Sequence, residues 1–148
     1  MYKHILIATD GSELARKAEI QGLELAKDLK AAATAVTVTE SWSSLELAGR
    51  AERGAMHPIE DYETLAMASA ARILARVSET AKTTGVACDI VHAKEQHPAE
   101  GIIATANAKG CDLIVMASHG RRGLQRLLLG SQANEVLAHS SIPVLICK

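Results

Sequence analysis

Short apolar runs alternate along this chain with longer stretches in which apolar residues recur every three or four positions. The first run, His4-Ile5-Leu6-Ile7-Ala8, ends at Thr9-Asp10-Gly11. A continuous apolar run closed by turn residues suits a strand buried on both faces. Ser12 is placed to cap the helix that follows, whose stripe is expected at Leu14, Ala18, Gly22, Leu25 and Leu29. Gly22 lowers helix propensity but permits close approach to a sheet. A second run covers Ala35 to Thr39, and Glu40 to Ile59 is expected to be an irregular loop. A helical pattern then runs from about Glu60 to Thr84, with Ala66, Ala70, Ile73, Leu74, Val77 and Ala81 as its stripe and Gly85 at its end. Strand-like Val86 to His92 precedes a helix over Pro98 to Lys109, with Ala99, Ile102, Ile103 and Ala106 inward and Gly110 closing it. The run Asp112 to Ala117 is the most strand-like. A loop over Ser118 to Gly130, a helix over Ser131 to His139 and a final strand over Pro143 to Cys147 complete the chain.

Strands separated by helices need right-handed crossovers. The pattern therefore predicts α/β architecture: a single domain over residues 1–148, doubly wound, with a five-stranded parallel sheet and helices on both faces. Open sheets of this kind bind ligands beyond the carboxyl ends of their strands, where the strand order reverses.

Composition narrows the function. Hydrophobic residues make up 48% of the chain but aromatics only 2%, so the core is aliphatic and a flavin sandwich lacks its aromatic faces. The formal net charge of -1 provides no basic field for nucleic acid. No apolar stretch approaches the roughly 20 residues of a membrane span, and no signal peptide is evident, so a soluble cytoplasmic protein without membrane insertion is expected. Cys88, Cys111 and Cys147 are widely spaced and expected to be small buried hydrophobes. The six histidines show no ligand spacing, so no transition-metal site is assigned. His97 before Pro98 is expected to be a weak helix cap.

Two strand-to-helix turns carry candidate chemistry. One is Thr9-Asp10-Gly11-Ser12; the other is Ala117-Ser118-His119-Gly120, continuing to Gly130-Ser131. Glycines let main-chain amides approach an anion, and a helix starting at Gly130-Ser131 directs free N–H groups toward it. Between them, Leu124, Leu127 and Leu128 are expected to anchor the segment, while Arg121, Arg122 and Arg126 add positive charge. A helix-cap role for Asp10 is compatible with this; Gly120 and Gly130 as plain turn residues and His119 as an exposed turn histidine are competing readings, and a solvated face is the favoured one for Arg121, Arg122 and Arg126.

The combination of ILIATDGSE near the start and VMASHG…LLLGS near the end resembles the universal stress protein family over the whole chain. The resemblance implies strand order 3-2-1-4-5, an adenine nucleotide alpha hydrolase-like fold, which makes the first and fourth strands neighbours and brings both turns to one crevice. It implies binding of ATP or a related adenine nucleotide, with Mg2+ as a possible companion, in a stress-response sensor. The family's glycine pattern falls here on Ala117, Gly120, Gly130 and Ser131, with Ala117 departing from glycine. Asp10 would lie beside the adenosine, with Ala8, Thr9 and Met116 at the strand ends around it. Val38 would meet the adenine edge; Ser118, His119, Gly120 and Arg121 would line the ribose and phosphates; Gln132 would donate a backbone amide. The terminal strand 143–147 is an apolar edge of a kind that tends to pair, and the resemblance implies a homodimer through it. The client protein is left open.

Other activities lack their residues. A receiver domain needs an acidic pair after the first strand and an Asp after the third, where His92 stands. A P-loop needs GxxxxGK[ST] and a serine hydrolase needs GxSxG; neither occurs. With Asp10 as the one carboxylate expected at the crevice, ATP hydrolysis is expected to be slow at most. The competing expectation is a family member that binds no nucleotide and acts through its dimer surface.

Overall fold

A computed structural model describes residues 1–121 and 128–148. Its sheet is built from β1 (His4–Ala8), β2 (Ala32–Thr39), β3 (Cys88–Lys94), β4 (Leu113–Ala117) and β5 (Val144–Cys147). The order is β3-β2-β1-β4-β5, and every neighbouring pair is parallel. The helices among the described residues are α1 (Glu13–Leu29), α2 (Ser44–Glu52), α3 (Pro58–Thr84), α4 (Pro98–Ala108) and α5 (Ser131–His139).

Successive side chains of a strand point to opposite faces, and here both faces are covered. Ile5 and Ile7 of β1 and Val115 of β4 meet Ala15, Ala18, Leu23 and Ala26 of α1 and Leu74, Val77 and Ala81 of α3. Leu6, Ala8, Ile114 and Met116 point the other way, onto Ala99, Ile102 and Ala106 of α4 and Ala133 and Val136 of α5. The chain proceeds from β1 to β2 and β3 on one side and crosses back to β4 and β5 on the other, so the order reverses between β1 and β4.

Several expected boundaries move. The α1 stripe is rotated: Ala15, Ala18, Glu19, Gly22, Leu23 and Ala26 are buried, whereas Leu14 and Leu25 sit at its margin and Leu29 is exposed. The cause is proximity, since a Cβ on Gly22 would stand 2.9 Å from Ile7 Cγ1, leaving space for small residues only. Strand β2 begins at Ala32 because its alanines pair in register with His4 to Ala8. Strand β3 is displaced to Cys88–Lys94 by its pairing with Ala33 to Thr39. The expected loop 40–59 contains α2, started by a reciprocal cap between Ser43 and Glu46, yet none of its residues is buried. Asp112 precedes β4 and accepts the amide hydrogens of Lys3 (2.8 Å) and His4 (3.0 Å), fastening the start of β1.

Candidate functional site at the reversal of strand order

Beyond the carboxyl ends of β1, β2 and β4 lies a cleft of about 570 Å³. Its wall includes Ala8, Thr9, Asp10, Val38, Met116, Ala117, Ser118, His119, Gly120, Arg121, Gly130, Ser131 and Gln132, so the residues singled out in the sequence surround one space. Thr39, Glu40, Tyr62, Ser69, Ile73 and Ile102 also line it and were not anticipated. Glu40 corrects the expectation that Asp10 is the one carboxylate there. The other residues belong to α3, α4 and the end of β2, which ordinary helix and strand patterning marks only as packing surfaces.

Asp10 holds the two turns together. Its Oδ1 accepts the Ser12 amide at 2.9 Å and its Oδ2 accepts the Arg121 amide at 2.8 Å. The cap of α1 is Ser12, so Asp10 does not cap the helix; its carboxylate closes its own turn and joins it to the second turn at the cleft. Gly11 has φ +78, a left-handed conformation that side chains disfavour, and a Cβ there would stand 2.7 Å from Ile73 Cγ1. Ser12 caps α1 by accepting the Ala15 amide at 3.2 Å.

The glycines of the second turn have a physical role different from the expected one. A Cβ on Gly120 would lie 2.8 Å from Asp10 Oδ2, and one on Gly130 would lie 3.0 Å from the Ser118 carbonyl oxygen. Both glycines therefore admit neighbouring parts of the protein. The Gly130 amide is also not bare, because it donates to Ser118 O at 2.7 Å. Unsatisfied donors lie one step further on. The Ser131, Gln132 and Ala133 amides open α5, which has no side-chain cap, and they have no acceptor among the described residues. Gln132 instead uses its side chain on α4, accepting the Ala99 amide at 3.0 Å. His119 Nδ1 is 3.0 Å from Ser118 Oγ, while its Nε2 is buried without a hydrogen-bond partner among the described residues. A helix N-terminus, an orphaned imidazole nitrogen and a cleft together suit an anion-bearing ligand.

Ala117 packs into the core cluster on the α1 and α3 face. Leu128 is 85% exposed and does not anchor its segment, whereas Leu129 packs on the α4 and α5 side. Arg122, Leu124, Arg126 and Leu127 lie outside the described residues. His97 makes no cap hydrogen bond; its Nδ1 lies 3.6 Å from Glu40 Oε1. Cys111 and Cys147 are buried and Cys88 partly so. Among the described residues no three His, Cys, Asp or Glu side chains gather as metal ligands, and no helix is long and apolar enough to cross a membrane.

The sequence profile of the universal stress protein family matches residues 1–148. The chain belongs to the universal stress protein family. A universal stress protein of Methanocaldococcus jannaschii is 33% identical over 150 residues, covering 100% of this chain and 83% of that one. The solved structure of hypothetical protein MJ0577, from the same organism, superposes with a TM-score of 0.76 at 28% identity over 100% of this chain and 96% of that one. Two more distant family structures share the fold. One, in complex with cAMP, has a TM-score of 0.70 at 20% identity, covering 98% of this chain and 95% of that one. The other, from Archaeoglobus fulgidus in complex with dAMP, has a TM-score of 0.70 at 17% identity, covering 99% of this chain and 98% of that one.

Proposed function

We propose that this universal stress protein binds ATP or a related adenine nucleotide in the cleft over β1 and β4 and acts as a cytoplasmic stress-response sensor, with at most slow hydrolysis. The observation that carries the proposal is the set of unsatisfied amides at Ser131, Gln132 and Ala133, which open into the same cleft that Asp10 closes. Phosphate groups would meet those amides, His119 and Arg121; the ribose would lie by Asp10 and Ser118; adenine would reach toward Val38. The cAMP and dAMP complexes of distant family structures support an adenine nucleotide as the ligand class. Mg2+ arriving with a triphosphate would depend on the phosphates for most of its ligands, because the described cleft residues include two carboxylates, Asp10 and Glu40, and both Asp10 oxygens already accept amides. That donor set favours binding over rapid phosphoryl transfer, which needs a held metal and an oriented base. The unit of function is one domain over 1–148, paired as a homodimer along 143–147, where Leu145 of the edge strand is 41% exposed.

The test is thermal unfolding with ATP, ADP, AMP and cAMP. A ligand at about 100 times its Kd stabilises the fold by roughly 2.7 kcal/mol. For a domain of this size that corresponds to a Tm rise of about 5–10 °C. Absence of a shift with every one of these nucleotides at millimolar concentration refutes the proposal. It would favour the second reading, a dimeric interaction module, for which Ala117 in place of the motif glycine is the specific support.

A further inference from the structure

The sheet-facing side of α1 is built from Ala15, Ala18, Gly22, Leu23 and Ala26, with one exception, Glu19. This glutamate is 3% exposed. Its Oε1 accepts the Thr9 hydroxyl and, at 2.6 Å, Nη2 of Arg76 on α3. Arg76 Nε is buried with no partner among the described residues. The Arg76 side chain is 33% exposed and that of Glu19 4%, and a half-buried pair of this kind seldom stabilises a fold more than packed apolar residues of the same volume do. Stability therefore does not account for this one. Its destination does: the Thr9 oxygen that donates to Glu19 also accepts the Gly11 amide at 3.1 Å. Gly11 is the left-handed residue between Asp10 and Ser12, and Asp10 is the clasp between the two turns of the cleft.

We infer that Glu19 and Arg76 are positioning residues of the ligand site: this half-buried pair, which lies outside the cleft lining, fixes the Thr9 hydroxyl and through it the Gly11 amide and the Asp10 carboxylate. The relay runs from Gly11 N–H to Thr9 Oγ1, and from the Thr9 hydroxyl to the Glu19 carboxylate that Arg76 holds. It links α1 and α3, the two helices on one face of the sheet, to the turn that closes the cleft. Ligand affinity thereby depends on how α3 is seated against α1. The inference deepens the nucleotide-binding proposal and rests on it for its ligand, but not for its geometry.

The experiment separates support of the fold from support of the site. The double variant Glu19→Leu/Arg76→Met keeps the volume and removes the polar relay. Its Tm is expected to equal or exceed that of the unmodified protein, while affinity for ATP, measured by calorimetry, falls about tenfold, as loss of an ordering hydrogen bond implies. In nucleotide-free protein, exchange of the Gly11, Ser12 and Arg121 amides is expected to accelerate about tenfold. Thr9→Val is expected to reproduce both effects, Thr9→Ser to restore both, and the triple variant to show no further loss. Unchanged exchange at these amides in the double variant and in Thr9→Val overturns the inference, as does a loss of affinity that merely follows a loss of Tm. If the unmodified protein binds none of ATP, ADP, AMP and cAMP, the nucleotide proposal fails, and the exchange rates of the free protein decide the positioning role alone.

Discussion

Substituting Asp10 distinguishes a clasp between two turns from a local cap. The carboxylate accepts one amide from its own turn, Ser12 at 2.9 Å, and one from across the cleft, Arg121 at 2.8 Å. Hydrogen bonds to a charged group contribute about 1.5–3 kcal/mol, and partial exposure places these at the lower end. Asp10→Asn retains a single acceptor oxygen and turns its NH2 toward one of the two amides, so it loses about 1.5 kcal/mol. Asp10→Ala loses both, about 3 kcal/mol. At about 2–4 °C per kcal/mol the Tm falls by about 3–6 °C for Asn and about 6–12 °C for Ala. Urea unfolding of the two variants provides the free energies directly. A local cap behaves differently: Asn caps as well as Asp, and Ala costs about 1 kcal/mol. An Asn variant within about 1 °C of the unmodified protein therefore refutes the clasp.

Three other outcomes are expected. Gly22→Ala gains up to about 1 kcal/mol of helix propensity but forces a methyl to 2.9 Å from the buried Ile7, an overpacking cost of about 1–3 kcal/mol. Strain wins, and the Tm falls; a rise would refute the close approach. Burial raises the Asp112 pKa, but the hydrogen bonds from the Lys3 and His4 amides outweigh it and hold the carboxyl below its ordinary value. A depressed acid stabilises the fold above its unfolded pKa, near 4, and loses that contribution as pH falls further. Asp112→Asn should therefore flatten the acid limb of the stability curve below about pH 4 and leave its shape near pH 7 unchanged. Burial raises all three thiols, Cys111 to about 11, so the order of labelling rests on access, and among the three only Cys88 is partly exposed. Alkylation of native protein near pH 8, followed by peptide mass mapping, should label Cys88 first; labelling of Cys111 before Cys88 contradicts the burial.

The parallel strands were legible because they depend on local, repeated signals, whereas the convergence of the two glycine-bearing turns followed from the strand order that the family resemblance implies. Five apolar runs separated by helical stripes permit few topologies, and turn residues at strand ends mark the crevice. What escaped depends on partners distant in the chain. The expected α1 stripe runs through Leu14, Leu25 and Leu29 beside Ala18 and Gly22, while the helix turns Ala15, Glu19, Leu23 and Ala26 inward with those two, because Ile7 leaves little space at Gly22. Glu19 reads as an ordinary exposed helix residue until Arg76 is placed beside it. Gly120 and Gly130 read as anion-cradle glycines, but Asp10 and Ser118 occupy the space their missing side chains leave. The start of α2 was locally encoded in Ser43 and Glu46, and the surrounding polar residues obscured it.

The clasp joins residues separated by 111 positions, Asp10 and Arg121. A chain emerging from the ribosome completes β1 and its turn well before the second turn, 111 positions further on, has been made. Until then there is no crevice for any small molecule to occupy. Occupancy of the cleft is consequently a certificate of finished assembly: only a molecule whose sheet has closed across its centre can hold a ligand there, and fragments lacking the second turn stay silent in a binding assay even when their helices form.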